Sequence, residues 1–303
     1  MTKPEDVADV EWSDLSGKRA VVTGSTSGIG RETALALGRL GADVVVHGRD
    51  RKAGEEVVKS ARNDGAEAEF VRADFEKPDE VRELARAVES GGDIDILVNN
   101  AGGVFSGRRT TSLGVEPTFH VNHLAHYQLV AELVGSLSDG EGAGVVTVSS
   151  IEHRFAGFGL EAVEKPGRLP YISASRAYQR SKLANVLFAK ELARRSERVG
   201  AEIRSNSLHP GWVPGTGMNR SLPYPVSSVA RSFRRLPLAT SVPEASRAVL
   251  YLVASEDTRD ISGKHFAGRE TREPSEAARN VENQRRLWEK SAQLLGVEEP
   301  LQA

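Results

Sequence analysis

The chain alternates between short apolar runs and longer amphipathic ones. Arg19–Gly24, "RAVVTG", is a β-branched run that stops at glycine and predicts a buried strand. "IGRETALALGRLGA" follows with helical periodicity and ends at Gly41. The pattern then repeats as strand "DVVVHG", helix "RKAGEEVVKSARNDG" closed by Gly65, strand "AEFVRAD" and helix "KPDEVRELARAVESGG". A strand in "DIDILVNNAGG" leads to a long helix over Glu116–Leu137. "GAGVVTVSS" is a fifth strand, Ser173–Ser196 a second long helix and "AEIRSNSLHPG" a sixth strand. The helix "PEASRAVLYLVAS" and the short strand "GKHFAG" complete the alternation.

Most strand runs are apolar throughout, as strands covered on both faces must be. Alternating β and α elements predict an α/β fold: a Rossmann-type, doubly wound parallel sheet of about seven strands with helices on both faces. We expect one domain over residues 15–303, closed by a C-terminal helix in "TREPSEAARNVENQRRLWEKSAQLLGV". Met1–Asp14 reads as a polar tail.

Charge narrows the partners. Lys plus Arg number 40 and Asp plus Glu 42, a balance that argues against nucleic-acid binding. The absence of cysteine excludes disulfides and thiol catalysis, and fits a cytoplasmic protein. No run is long and apolar enough for a transmembrane helix or a signal peptide. His120, His123 and His126 share a helical face, but no carboxylate lies in that run, so no metal site is expected.

The first β-to-α turn, "TGSTSGIG" (Thr23–Gly30), carries Gly24, Gly28 and Gly30. Glycines there let the backbone approach a pyrophosphate, and the helix start offers free N–H groups. Two other phosphate loops fail on spacing: Thr33 stands where G-x-G-x-x-G needs its last glycine, and no Gly-Lys pair follows Gly24 at P-loop spacing. "YQRSK", Tyr178–Lys182, places a lysine one helical turn after a tyrosine. Of the five tyrosines, only Tyr178 has a lysine four residues on. A free phenol with a pKa of about 10 exchanges protons poorly near neutrality, and a nearby ammonium lowers that pKa.

T-G-x-x-x-G-I-G resembles the short-chain dehydrogenase/reductase family. "NNAG" (Asn99–Gly102), Asn122, "VSS" (Val148–Ser150), Tyr178-x-x-x-Lys182 and "HPG" (His209–Gly211) follow in the family's order. "RSKLANVLFAKELARR" and "LHPGW" look most like its retinol-dehydrogenase-like branch. The resemblance implies a hydride-transferring enzyme with Tyr178 as general acid/base, Lys182 lowering its pKa, Ser150 holding the substrate oxygen and Asn122 holding a relay water. It also implies a nicotinamide cofactor at Gly24, Ser25, Thr26, Ser27, Gly28, Ile29 and Gly30, at Arg49, Asp74 and Phe75, at Asn100, Ala101 and Gly102, at Tyr178 and Lys182, and at Pro210, Gly211 and Val213. NAD-preferring members would carry an acid at the end of the second strand. Gly48 stands there, and Arg49 after it suits the 2′-phosphate of NADP(H), which is favoured over NAD(H). Asp50 reads as a helix cap.

Two features depart from the family pattern. The gap between Ser150 and Tyr178 is longer than in many members, though the retinol-dehydrogenase-like branch is also long here. Gly215 interrupts the stretch before Thr216, so no role carries over to Thr216. Residues 214–240 read as a substrate lid, with Phe155, Phe158, Trp212, Met218 and Phe233 as candidate apolar lining. The implied substrate is a small lipophilic carbonyl or alcohol. Relatives often carry an N-terminal membrane anchor, which this chain is expected to lack. The two long helices are the surfaces by which members form homodimers or homotetramers. The alternatives are an NADP(H) sensor without catalysis, which would need only the glycine loop, and a nucleotide-sugar epimerase, for which the C-terminal region is too small.

Overall fold

The computed structural model describes residues 3–8, 10, 12–105, 109–138, 142–158, 174–211, 213 and 240–302. Among them, eight strands form one sheet in the order β3-β2-β1-β4-β5-β6-β7-β8. β1 (Arg19–Val22), β2 (Asp43–Gly48), β3 (Ala68–Arg72), β4 (Ile96–Asn99), β5 (Gly144–Val148), β6 (Arg204–His209) and β7 (His265–Ala267) are parallel. β8 (Glu270–Thr271) adds an antiparallel edge that the sequence did not announce, because two exposed polar residues carry no strand signal.

The helices are α1 (Pro4–Ala8), α2 (Gly28–Arg39), α3 (Arg51–Asn63), α4 (Pro78–Glu89), α5 (Pro117–Phe119), α6 (Ala125–Ser138), α7 (Ala174–Val199), α8 (Val242–Ala254), α9 (Glu276–Arg279) and α10 (Val281–Leu295). Successive strand residues point to opposite faces, and both faces are dry. Val22, Val46 and Val146 pack with α2, α3 and α8, whereas Val21, Val45 and Val145 pack with α4, α6, α7 and α10. The chain leaves β1 in one direction and β4 in the other, which opens a crevice at their C-terminal ends.

Both ends of the chain pack on the fold. The described residues of the N-terminal segment are docked. Glu5 is buried and ion-paired with Arg39, Ala8 and Val10 join the core, and Ser13 Oγ donates to the Ala254 carbonyl at 2.8 Å. The polar composition hid this because the buried carboxylate brings its own counter-charge. At the other end, α10 lies across both long helices. Its Trp288 is fully buried, stacked on Phe188 (5.6 Å, 14°), edge-on to Tyr127 and under the Arg195 guanidinium. Part of the helix surface that the resemblance marks for oligomer contacts is therefore covered by the chain itself.

Candidate active site

The crevice is a cleft of about 340 Å³. One end is built from the glycine loop. Gly24 has φ +65° and passes so close to the β4 end that a Cβ would stand 2.7 Å from Ala101 Cα. Gly30 leaves no room for a Cβ beside Asn100 Nδ2. Asn100 in turn donates to the Thr23 carbonyl at 2.8 Å, so the two strand ends are laced together. Ser27 precedes α2 without capping it through its side chain, and Ser27, Gly28 and Ile29 at this helix start line the cleft.

Of the sequence-predicted residues, Gly24, Thr26, Ser27, Gly28, Ile29, Arg49, Asp74, Phe75, Asn100, Ala101, Gly102, Ser150, Tyr178, Lys182, Pro210, Gly211 and Val213 line this cleft. Three do not. Ser25 is fully buried with its hydroxyl donating to the Val22 carbonyl at 2.7 Å and accepting the His47 N–H at 3.0 Å, so it braces the loop from behind. Gly30 acts by close approach alone. Asn122 lies behind the wall in a π-turn, His120–Leu124, that interrupts the long helix. Its amide accepts from Gly103 N at 2.8 Å and donates to the Gly103 carbonyl (3.0 Å) and to Ser181 Oγ (2.9 Å). Its side chain is thus taken up as a brace. Its main-chain carbonyl accepts from the His126 ring at 3.0 Å.

The other end holds Ser150, Tyr178 and Lys182. The two serines that follow β5 make different contacts. Ser149 is buried and donates to the Lys182 carbonyl at 2.7 Å, whereas Ser150 hydrogen-bonds the Tyr178 phenol. Tyr178 and Lys182 share one face of α7, with the ammonium 5.6 Å from the ring centroid. That ammonium donates to the Val148 carbonyl at 2.9 Å and is pushed down to about 8 by burial. The phenol departs from expectation. Burial pushes it up to about 12, against the lowering effect of the Ser150 hydrogen bond. Desolvation outweighs the lysine here because the ammonium is directed at a carbonyl rather than at the phenol oxygen.

Arg49 flanks the glycine-loop end, its side chain 60% exposed and its guanidinium 4.0 Å from the Asp74 carboxylate. Asp50 caps α3 by accepting from Ala53 N at 3.1 Å. Sequence reasoning missed His47. It accepts the Gly24 N–H on Nδ1 at 3.2 Å, bonds the Ala73 carbonyl through Nε2 and stacks on Phe75 at 4.4 Å. Both bonds require the neutral Nε2–H tautomer, and burial keeps it neutral by pushing the ring down to about 4. Only its place at the end of the second strand could have hinted at this. The three helical histidines are structural: His120 meets Thr111, His123 meets Ser291 and His126 meets Thr23. Phe155 is exposed and Phe158 packs beneath Arg286, so neither lines the cleft. Trp212, Thr216, Met218, Phe233 and all of the expected lid but Thr240 lie outside the described residues. No described helix is long and apolar enough to cross a membrane.

The chain matches known proteins along most of its length. The profile of the short chain dehydrogenase family matches residues 18–163. Human retinol dehydrogenase 13 is 34% identical over 94% of this chain and 87% of its own. Mouse polyprenol dehydrogenase is 37% identical over 93% of this chain and 84% of its own. A short chain dehydrogenase from Burkholderia cenocepacia, solved in complex with NADP, superposes with a TM-score of 0.66 at 29% identity, covering 84% of this chain and 96% of that one. The chain therefore belongs to the short-chain dehydrogenase/reductase family, in its retinol-dehydrogenase-like branch.

Proposed function

We propose that the protein moves a hydride between NADP(H) and the carbonyl or alcohol carbon of a small lipophilic substrate. The observation that carries this reading is the convergence of Ser150, Tyr178 and Lys182 at one end of a cleft whose other end is the glycine loop and Arg49. A sensor needs only the second half of that arrangement.

The cleft fits a dinucleotide. Gly24 and Gly30 clear space that any side chain would fill, and the uncapped start of α2 favours a pyrophosphate. When bound, the nicotinamide supplies or accepts the hydride and, oxidised, adds positive charge beside Tyr178. Arg49 is free enough to turn from Asp74 to a 2′-phosphate as a charge-assisted hydrogen bond. An acid at position 48, the NAD-type solution, would put its Cβ 2.5 Å from Thr26 Cγ2.

Ser150 positions the substrate oxygen beside the phenol. A phenol held near 12 is fully protonated at neutral pH, so the resting site is a proton donor set for carbonyl reduction. For alcohol oxidation, Lys182 and the oxidised ring must together bring it down, at about 1.4 kcal/mol per unit. The lipophilic substrate class draws support from the retinol and polyprenol dehydrogenases among the relatives.

The test is titration of the purified chain with NADPH and NADH, followed by a carbonyl panel. NADPH should bind more tightly, and Arg49→Ala should weaken it by about 10–100-fold with NADH little changed. Tyr178→Phe should abolish turnover and keep cofactor binding. Turnover retained in Tyr178→Phe would sink the acid/base assignment.

A further inference from the structure

We propose that His153 is a positioning residue for Ser150, gripping its carbonyl and tethering it to the chain segment before α9. This rests on the function proposed above. β5 ends at Val148, and Ile151–Phe155 forms a single 3₁₀ turn with Ser150 at its N-cap. His153 N–H donates to the Ser150 carbonyl at 3.1 Å, as the turn requires. Its imidazole Nδ1 meets the same carbonyl at 2.7 Å. One residue therefore holds one oxygen twice. That oxygen belongs to the peptide that sets the direction of the Ser150 side chain, whose hydroxyl meets Tyr178.

The far side of the ring fixes the tautomer. Ser275 N–H donates to Nε2 at 3.2 Å, so Nε2 carries the lone pair and Nδ1 the proton. Arg154, next in sequence, donates to the Glu273 carbonyl. The serine turn is thus tied to Glu273–Ser275, far away in sequence. His153 is fully buried and meets the His265 ring edge-on at 4.7 Å, so it has no solvent to move into. Burial also holds it below its ordinary pKa, in the neutral form that this double contact needs.

Two substitutions separate a positioning role from a space-filling one. Asparagine can place its amide N–H where Nδ1–H lies; glutamine reaches the Nε2 position and leaves the Ser150 carbonyl. His153→Gln should lose about tenfold in kcat, with the NADPH dissociation constant unchanged, and His153→Asn should recover most of that loss. Equal kcat in the two variants would overturn the proposal. A second measurement does not depend on turnover. Imidazole ¹⁵N shifts of the wild-type protein should show a protonated Nδ1 and a bare Nε2 at residue 153. The opposite tautomer would also overturn it. If the wild-type protein reduces no carbonyl at all, the function fails while the tautomer still decides the His153–Ser150 contact.

Discussion

Arg109 grips Glu76 through two hydrogen bonds, at 2.6 and 2.7 Å, next to the Arg49–Asp74 end of the cleft. Glu76 follows Asp74 and Phe75, which line the cleft, and Arg109 lies beyond the cleft-lining run that ends at Phe105. The pair ties Arg109 to the segment that follows Asp74 and Phe75, and Arg109 holds the Glu76 carboxyl below its usual range. Arg109→Ala should raise the cofactor dissociation constant by about 2–5-fold, mainly through faster release, as a half-exposed bidentate pair is worth about 0.5–1 kcal/mol. Stopped-flow release of NADPH measures it; an unchanged off-rate would show that the pair does not hold the ligand.

Cofactor preference should resist the simplest redesign. Gly48→Asp introduces a carboxylate that could accept from a ribose hydroxyl, but its Cβ collides with Thr26. We expect the single variant to lose affinity for both cofactors. Combining it with Thr26→Gly, which removes the clashing methyl and hydroxyl, should restore NADH binding in preference to NADPH. Calorimetric titration of both variants checks this. Tight NADH binding by the single variant would mean that Thr26 yields without cost.

Acid should unfold the protein early. All seven histidines are held below their ordinary value, in each case chiefly by burial. His47 and His120 sit at about 4, and His123, His126 and His265 at about 3. The unfolded chain takes up protons below about pH 6.5 that the folded chain refuses. Stability is therefore fully present above that pH and falls as pH drops from about 6.5 toward 4. Each ring contributes up to about 1.4 kcal/mol per pH unit inside the window. Glu76, depressed by Arg109, adds its own loss only below the ordinary carboxylate range. Urea midpoints should be flat from pH 8 to 7 and decline steeply by pH 5.5. A flat profile down to pH 5 would contradict the burial of these rings.

The C-terminal helix should be a structural requirement. Trp288→Ala removes the side chain that Tyr127, Phe188 and Arg195 enclose. A loss of about 3–5 kcal/mol is expected from the cavity and the lost burial. Denaturant unfolding measures it directly. A loss under 1 kcal/mol would indicate that α10 is dispensable to the fold.

The sequence by itself determined the parallel sheet, the glycine loop and the Tyr178–Lys182 pair. These are local matters: apolar runs stop at turn residues, glycines mark close backbone approach, and a four-residue spacing fixes a shared helical face. Tertiary structure decided what depends on distant neighbours. The Tyr178 pKa rose because desolvation depends on everything packed around the ring. Ser25 turned out to be a brace and His47 a cleft residue because strand pleat and loop path choose which side chain faces inward. Glu5 became buried because Arg39 was waiting for it. His153 acquired a place beside the active site because the fold brings Ser275 to its far nitrogen. No pattern along the chain records that meeting, since the two residues are far apart in sequence and only the fold brings them together.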